Sequence, residues 1–460
     1  MSKVKRGLKL GCGTTLAVLI GLGGVLWIRG NAAPEYKIPE WKLPSPNAYD
    51  TLTEARKLEV SKLGKAAVNP ESHYDEKTRK YIYPLGPLED RKALLEKNQA
   101  TIAKLREALT QEFATPRKPG DVQALADNFP HFAEFRELAR LLMFASRTYA
   151  DLGQNDEAGR CAVDAIKLGT LVSHRSQLMG NLVGVACEAI GRKALWERVD
   201  KLDAKTARAA VARLEALEPT RYSFESVLLN ERDFSQANTY VNFKNSNAWQ
   251  YTSSYFSQID EAATVTGAMM GEESEKPSAL DRAKLFGSQV AMTGLFVWHT
   301  KKGIFAESGR YMTELAAQTK LPYDPKRLGP RMPTDPINQM ILPLFQQAGH
   351  KDTSTRAETA LARVYLALRA YRLEKGSYPA TLEELVTSGY LKALPDDPYA
   401  MRFGQSFGYR REVGDTLTLW SCGPDGDDDN GWAVKKADGT VSRYVQTNDE
   451  GDLVARVNTY

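Results

Sequence analysis

The stretch Leu419 to Trp432 reads LWSCGPDGDDDNGW and sets four aspartates, Asp425, Asp427, Asp428 and Asp429, within five positions, framed by Gly423, Gly426 and Gly431. Carboxylates crowded on a glycine-flexed loop repel one another. A hard divalent cation, which takes roughly six to eight oxygen ligands, is the chemistry that would relieve the repulsion. A solvated acidic bend is the alternative that composition alone allows. The standard EF-hand is excluded: with Asp425 as first ligand, Asn430 falls at the glycine position and Lys436 at the twelfth.

Other residue patterns suggest chemistry less well. GQSFG, Gly404 to Gly408, fits G-x-S-x-G, but a nucleophile elbow needs a strand before the serine and a helix after it. Here an LPDDPY turn precedes, a strand-like GYRR follows, and the last histidine, His350, lies upstream. His73, His131, His174, His299 and His350 show no metal spacing, and there is no Walker loop or dinucleotide fingerprint. Glu383 and Glu384 read as a solvated helix face. An enzyme would have to be an envelope hydrolase in the helical region, with His131 or His174 facing paired carboxylates in a cleft.

The 460 residues carry 61 bases and 57 acids, a net charge of +4. Four of the bases, Lys3, Lys5, Arg6 and Lys9, sit in the first nine residues. No basic face interleaved with aromatics exists, so nucleic acid is not an expected partner. From Leu10 to Ile28 run nineteen residues without a charge, ended by Arg29. At about 1.5 Å per residue this just spans a hydrocarbon core of roughly 30 Å. The span 10–28 is therefore expected as a transmembrane helix with residues 1–9 as its cytoplasmic flank, placing the bulk of the chain across a bacterial inner membrane. A cleaved signal peptide, with small residues at Gly30 and Ala32, is the competing reading. Gly13, Ala17 and Gly21 form a small-residue stripe along which two such helices could dimerise. The four cysteines, Cys12, Cys161, Cys187 and Cys422, make no disulfide scaffold or metal knuckle. Buried free thiols are expected, a Cys161–Cys187 bridge being the alternative.

The prolines of residues 29–50 forbid regular helix and predict an extended stalk. Residues 51–320 read as a helical domain. Leu94, Leu95, Ile102, Leu105 and Leu109 share one face of a helix opened by Pro87. Leu138 to Gly169 reads as two helices around a turn at Gly153 to Asn155. Its order of small and apolar positions resembles one tetratricopeptide repeat, fewer than a solenoid needs. Helical signal returns from Leu280 to about Thr319, and its apolar stretch Phe286 to Trp298 is too short to cross a membrane. Five prolines between Leu321 and Pro336 mark 321–352 as a linker.

Residues 353–460 then read as an α+β unit: a long helix striped by Leu361, Val364, Tyr365, Leu368 and Tyr371 and stopped at Gly376, a short helix, strands near FGYRR and TLTLWS, and the acidic turn. The run RVYLALRAYRLEKGSYPATLEELVTSGYLKALPDDPY, with YRR and LTLWSCGPDGDDDNG after it, resembles the globular domain of the major pseudopilin of type II secretion. Its G-x-YP turn, L-P-x-D-P-W/Y segment and G-x-D-G turn occur in order. The whole layout also resembles uncharacterised bacterial membrane-anchored proteins with a helical middle. The resemblance implies a calcium site, in which Asp425 matches the family aspartate, Ser421 a carbonyl position, and Asp427, Asp428 and Asp429 follow sooner than is usual. It departs where some 320 residues separate the apolar span from the long helix, and where Val18 stands in place of the peptidase-site glutamate. The resulting expectation is a mainly α, multi-domain, non-enzymatic envelope protein, anchored by its N-terminal helix and displaying helical and pseudopilin-like domains for protein partners.

Overall fold

The computed structural model describes residues 21–60, 73–75, 80–82, 86–120, 122–253, 279–436, 438–442 and 445–459. The N-terminal flank and most of the expected span 10–28, with Cys12, Gly13 and Ala17, lie outside them. Its last residues are helical over 21–31 (α1). No helix among the described residues is long and apolar enough to cross a membrane.

After α1 the chain is extended, as its prolines require, but it does not stand free. Tyr36 packs edge-on to Phe305 with ring centroids 5.2 Å apart, and Trp41 packs on Phe234. The strap ends at Asn47, whose side chain caps α2 (Ala48–Leu58) and bonds Ala114 on both its amide and carbonyl. The face expected as one helix after Pro87 is two, α3 (Leu88–Lys97) and α4 (Gln99–Ala108), broken at Asn98. That asparagine turns its amide onto the Leu94 carbonyl and accepts the Val60 N–H, so the side chain holds the break.

A helical body follows: α5 (Val122–Asp151), α6 (Asn155–Ser173), α7 (Leu178–Trp196), α8 (Ala204–Leu217) and α9 (Phe224–Asn245). The turn foreseen at 153–155 is present, with Gly153 at φ +78°. Ala145, Ala158, Cys161, Ala165 and Leu168 are all buried, so the positions that look repeat-like are spent on packing within the body. Backbones of α6 and α7 nearly touch, because a Cβ on Gly184 would lie 2.4 Å from the Gly169 carbonyl oxygen. Cys161 and Cys187 are buried free thiols. The helical signal from Leu280 divides into α10 (Ala279–His299) and α11 (Lys301–Gln318) at Thr300, whose φ is +62° and whose hydroxyl caps Gly303.

The span 321–352, expected as a linker, belongs to the folded body. Its prolines do exclude helix from 321 to 335, but α12 (Pro336–Ile341) and the first turns of α13 (Pro343–Lys375) lie within it. Asp335 caps α12, and Asn338 reaches the Ile304 carbonyl. The long helix α13 is the spine of the molecule. It packs on α7 and α8 and on the strand Thr416–Ser421. From Ala357 to Ala370 it is buried nearly all round, including Leu361, Ala362, Val364, Leu366, Ala367 and Leu368. One apolar core therefore runs from Val163 and Leu195 through α13 to Tyr399, Leu419 and Leu453.

Gly376, at φ +86°, ends α13 and donates to the Arg372 carbonyl. After α14 (Glu383–Thr387) come β3 (Gly408–Glu412), β4 (Thr416–Ser421) and β5 (Leu453–Val454), an antiparallel sheet in sequence order. In its register Tyr409 faces Leu419, and Ser421 faces Leu453. A separate hairpin, β1 (His73–Asp75) with β2 (Lys80–Ile82), lies near the start of the chain.

Buried charges pin α13 to the body. Arg221 grips Glu188 of α7 with two bonds of 2.7 and 2.9 Å. Arg192 donates to Glu358 at 2.6 Å and to Thr359, whose hydroxyl in turn reaches Glu188. The Glu188 and Arg192 side chains are each only 3% exposed. Removing one partner from such a cluster leaves a buried charge uncompensated. Glu188→Ala should therefore cost about 3–5 kcal/mol in chemical denaturation. Glu107→Ala, which removes an exposed partner of Lys104, should cost under about 1 kcal/mol. Because the core is shared, helical and tryptophan signals should unfold together, and two separated transitions would contradict that coupling.

Candidate functional site

The acidic turn hangs from the end of β4 and folds back over β5. Gly423, Gly426 and Gly431 take φ of +73°, +75° and +85°, and Asn430 takes +57°. Gly423 is required for space as well, since a Cβ there would lie 2.1 Å from the Gly451 carbonyl oxygen. This sequence of left-handed residues coils the loop so that its carboxylates meet its own backbone N–H groups.

Each predicted residue has a definite place. Asp425 accepts from Asp427 N–H at 3.2 Å and Gly451 N–H at 2.7 Å, bridging the turn to the segment before β5. Asp428 accepts from the Trp420 indole at 2.7 Å and from Asn430 N–H at 2.9 Å. Asp427 and Asp429 are exposed. Ser421 is buried and donates its hydroxyl to Asp397 at 2.7 Å.

Two aspartates outside the predicted set organise the site. Asp397, 4% exposed, accepts from Ser421, from Cys422 N–H at 2.8 Å and from Tyr399 N–H at 3.0 Å, which anchors the LPDDPY turn to the start of the acidic loop. Its own N–H bonds the Gln405 carbonyl. The signal for it was present, because it is the aspartate of the L-P-x-D-P-Y segment. Asp452, fully buried, accepts from Asp429 N–H and Gly431 N–H, while its main chain pairs with Trp432 and Val434. No motif marks Asp452. The chain returns to the turn only in three dimensions, 21 residues after Gly431. Tyr323, from the proline-rich segment, seals the other side by donating to the Pro424 carbonyl and packing edge-on to Tyr399.

The electrostatics are one-sided. Burial first, then the nearby charges of Asp428 and Asp429, push the Asp452 carboxyl up to about 7 against the opposing pull of its two N–H donors. Burial also raises Asp425, with Asp429 and Asp427 adding to the shift, and raises Asp397 despite its donors. The donor chemistry, all oxygen, suits a hard cation. The arrangement does not form a cage: among the described residues no three carboxylate, imidazole or thiol groups converge on one point. As folded, the carboxylates serve as caps for backbone amides.

The remaining candidates are occupied otherwise. Ser406 donates to the Pro395 carbonyl, in a turn followed by β3 and not by a helix. His131 meets the single carboxylate of Glu134 at 2.9 Å, and His174 packs tilted against the Tyr222 ring. His350 bonds the Val445 carbonyl and the Tyr399 hydroxyl. An open cleft of about 400 Å³ between α9 and α11 is lined by Arg232, Gln236, Arg310 and Glu314. Its arginines are already paired, Arg232 with Asp233 and Arg310 with Glu307 and Glu314.

A carboxyl raised from 3.8 to about 7 holds its proton in the folded state after the unfolded chain has lost it. Asp452 therefore favours the fold below about pH 4, and that contribution is lost as pH rises to about 7. Asp452→Asn loses one acceptor at every pH but carries no ionisation penalty. The difference in melting temperature, variant minus wild type, should shift in the variant's favour between pH 4 and pH 7. A difference that stays flat across that range would mean Asp452 is ionised throughout.

Residues 344–437 match the family model of type II secretion system protein G. No curated protein and no solved structure matches the chain. The matched region runs from the first turn of α13 through α14, β3 and β4 to the acidic turn, and ends before Asp452 and β5. The C-terminal region of this chain is thus similar to the globular domain of the major pseudopilin, the type II secretion protein G.

Proposed function

We propose that this is a non-enzymatic, membrane-anchored protein of the bacterial envelope that holds a pseudopilin-like unit outside the cytoplasm for protein binding or assembly in a secretion-related setting. The observation that carries the reading is the seat of α13. The helix that heads the pseudopilin-like unit is enclosed by α7 and α8 and tied to Glu188 and Arg192, so the unit is presented in one fixed orientation by a helical body. A pseudopilin that polymerises through its long helix needs that helix accessible, and here its flanks are spent inside the chain. Partners accordingly meet the outer surface of the unit, where the acidic turn lies. The apolar, base-flanked span 10–28 supports the anchor.

Calcium at the acidic turn is part of the proposal. It is supported by the oxygen-only donor set and by the Asp452 carboxyl, pushed up to about 7 by burial first and then by the charges of Asp428 and Asp429. Asp425 and Asp428 would contribute, and Asp427 and Asp429 would have to turn inward from solvent to complete the shell. Bound to the folded state alone, the ion stabilises by about 2.7 kcal/mol at a hundredfold excess over Kd.

Two measurements test these statements. An export-dependent reporter fused after Tyr460 should be active and a cytoplasmic one silent, and the opposite pattern places the body on the wrong side. The purified protein should melt higher in calcium than in chelator, with magnesium substituting poorly, and Asp425→Ala should abolish the difference. Equal melting with calcium and with chelator leaves the turn as a self-capped, hydrated loop.

A further inference from the structure

An exposed apolar surface lies along α10. Phe286, Val290, Leu295 and Trp298 are 59, 48, 48 and 75% exposed, and Trp249, edge-on to Phe286, extends the surface. Gly287, Ala291 and Gly294 fill the gaps, and no charged residue occurs from Leu285 to Trp298. The opposite side of the helix is the one used for packing, through Thr293 and Phe296. A surface helix of a water-soluble body carries charge on its outer side; from Leu285 to Trp298 this one does not.

The position of the N-terminal run says what covers this face. α1 ends against α10: Gly30 is buried, and a Cβ there would sit 2.7 Å from a Val297 side-chain carbon. Asn31 accepts the Ala248 N–H and donates to the Trp27 carbonyl, fastening the helix end to the same cluster. The residues before it, Leu22, Val25, Leu26, Trp27 and Ile28, are exposed and apolar, and the uncharged run they close extends back to Leu10. Whatever apolar phase receives that run begins within a residue or two of Val297. The strap after α1 is docked on the body through Tyr36 and Trp41, so it provides no slack to lift the body away. Trp27 near the end of α1, Trp249 beside Phe286 and Trp298 at the end of α10, together with exposed Arg29 and Lys302, are residue types that favour a headgroup layer.

We propose that the outward face of α10 lies in the interfacial layer of the bilayer that the N-terminal run enters, giving the body a second, lateral membrane contact. The proposal rests on the anchor reading given above. The test uses the full chain, with Cys12 replaced by serine, in vesicles of phosphatidylcholine and phosphatidylglycerol. An environment-sensitive fluorophore is attached in turn to Ala291→Cys, on the face, and to Val413→Cys, fully exposed at the β3–β4 turn. Resistance to alkaline carbonate extraction reports the anchor separately. The expected result is resistant attachment, a blue-shifted label at 291 quenched by lipid-borne quencher, and a label at 413 that stays water-like and unquenched. Adding Val290→Glu and Leu295→Glu should return the 291 signal toward that of 413 while attachment stays carbonate-resistant. A resistant chain whose 291 label is unquenched overturns the lateral contact and leaves the anchor standing. A label at 291 that is blue-shifted but inaccessible to lipid quencher shows that protein, either residues 254–278 or a second copy, covers the face, which also overturns it. A chain extracted by carbonate removes both.

Discussion

The enclosure of α13 is the constraint on which the rest of the structure depends. A helix buried nearly all round from Ala357 to Ala370 needs partners on more than one side, and α13 has the helical body and the small sheet. Two ion-paired arginines and Glu188 in that interface could not be left half-satisfied without large cost, so they act as a register lock for the helix. Further clamps secure the rim. Arg208 chelates Glu374 and lies 3.7 Å from the Tyr390 ring centroid, and Arg456, beyond β5, chelates Asp200 of the body. The C-terminal unit is therefore held from several directions, and the surface it offers outward is what remains.

The acidic turn illustrates a second balance. Crowding of carboxylates costs free energy, and the loop offsets it with N–H donors from residues forced into left-handed conformations. The compensation is incomplete at Asp452, where burial outweighs two donors. Asp397 lies one layer deeper and joins the LPDDPY turn to the end of β4. The turn is thus wired to the sheet through buried aspartates, while Asp427, Asp428 and Asp429 are exposed.

Proline-rich segments have the same role at both ends of the body. Residues 32–47 and 321–335 are irregular because proline removes donors and fixes φ, but neither is a free tether. Aromatic anchors, Tyr36 and Trp41 in the first and Tyr323 in the second, dock them on helices and on the acidic turn. A strap of this kind transmits position, which is why the end of α1 has a fixed place beside Val297.

By itself the sequence determined what local rules encode. Apolar periodicity placed the helices of the body, Gly376 placed the end of α13, and the ordered motifs identified the pseudopilin-like region that the family match covers. The acidic turn was legible because its glycines and aspartates are contiguous. Breaks at Asn98 and Thr300 were not, since each is held by side-chain bonds that periodicity does not register. Nor was the extent of burial on α13: the stripe Leu361, Val364, Tyr365, Leu368 revealed one apolar face, whereas the burial of Ala362, Leu366 and Ala367 as well required partners on more than one side. Tertiary structure decided the pairings across long separations, Arg192 with Glu358, Arg456 with Asp200 and Asp452 with Gly431. It also joined the two halves through one core. These depend on which surfaces meet, and a single sequence records the residues that pair but not the contact that brings them together.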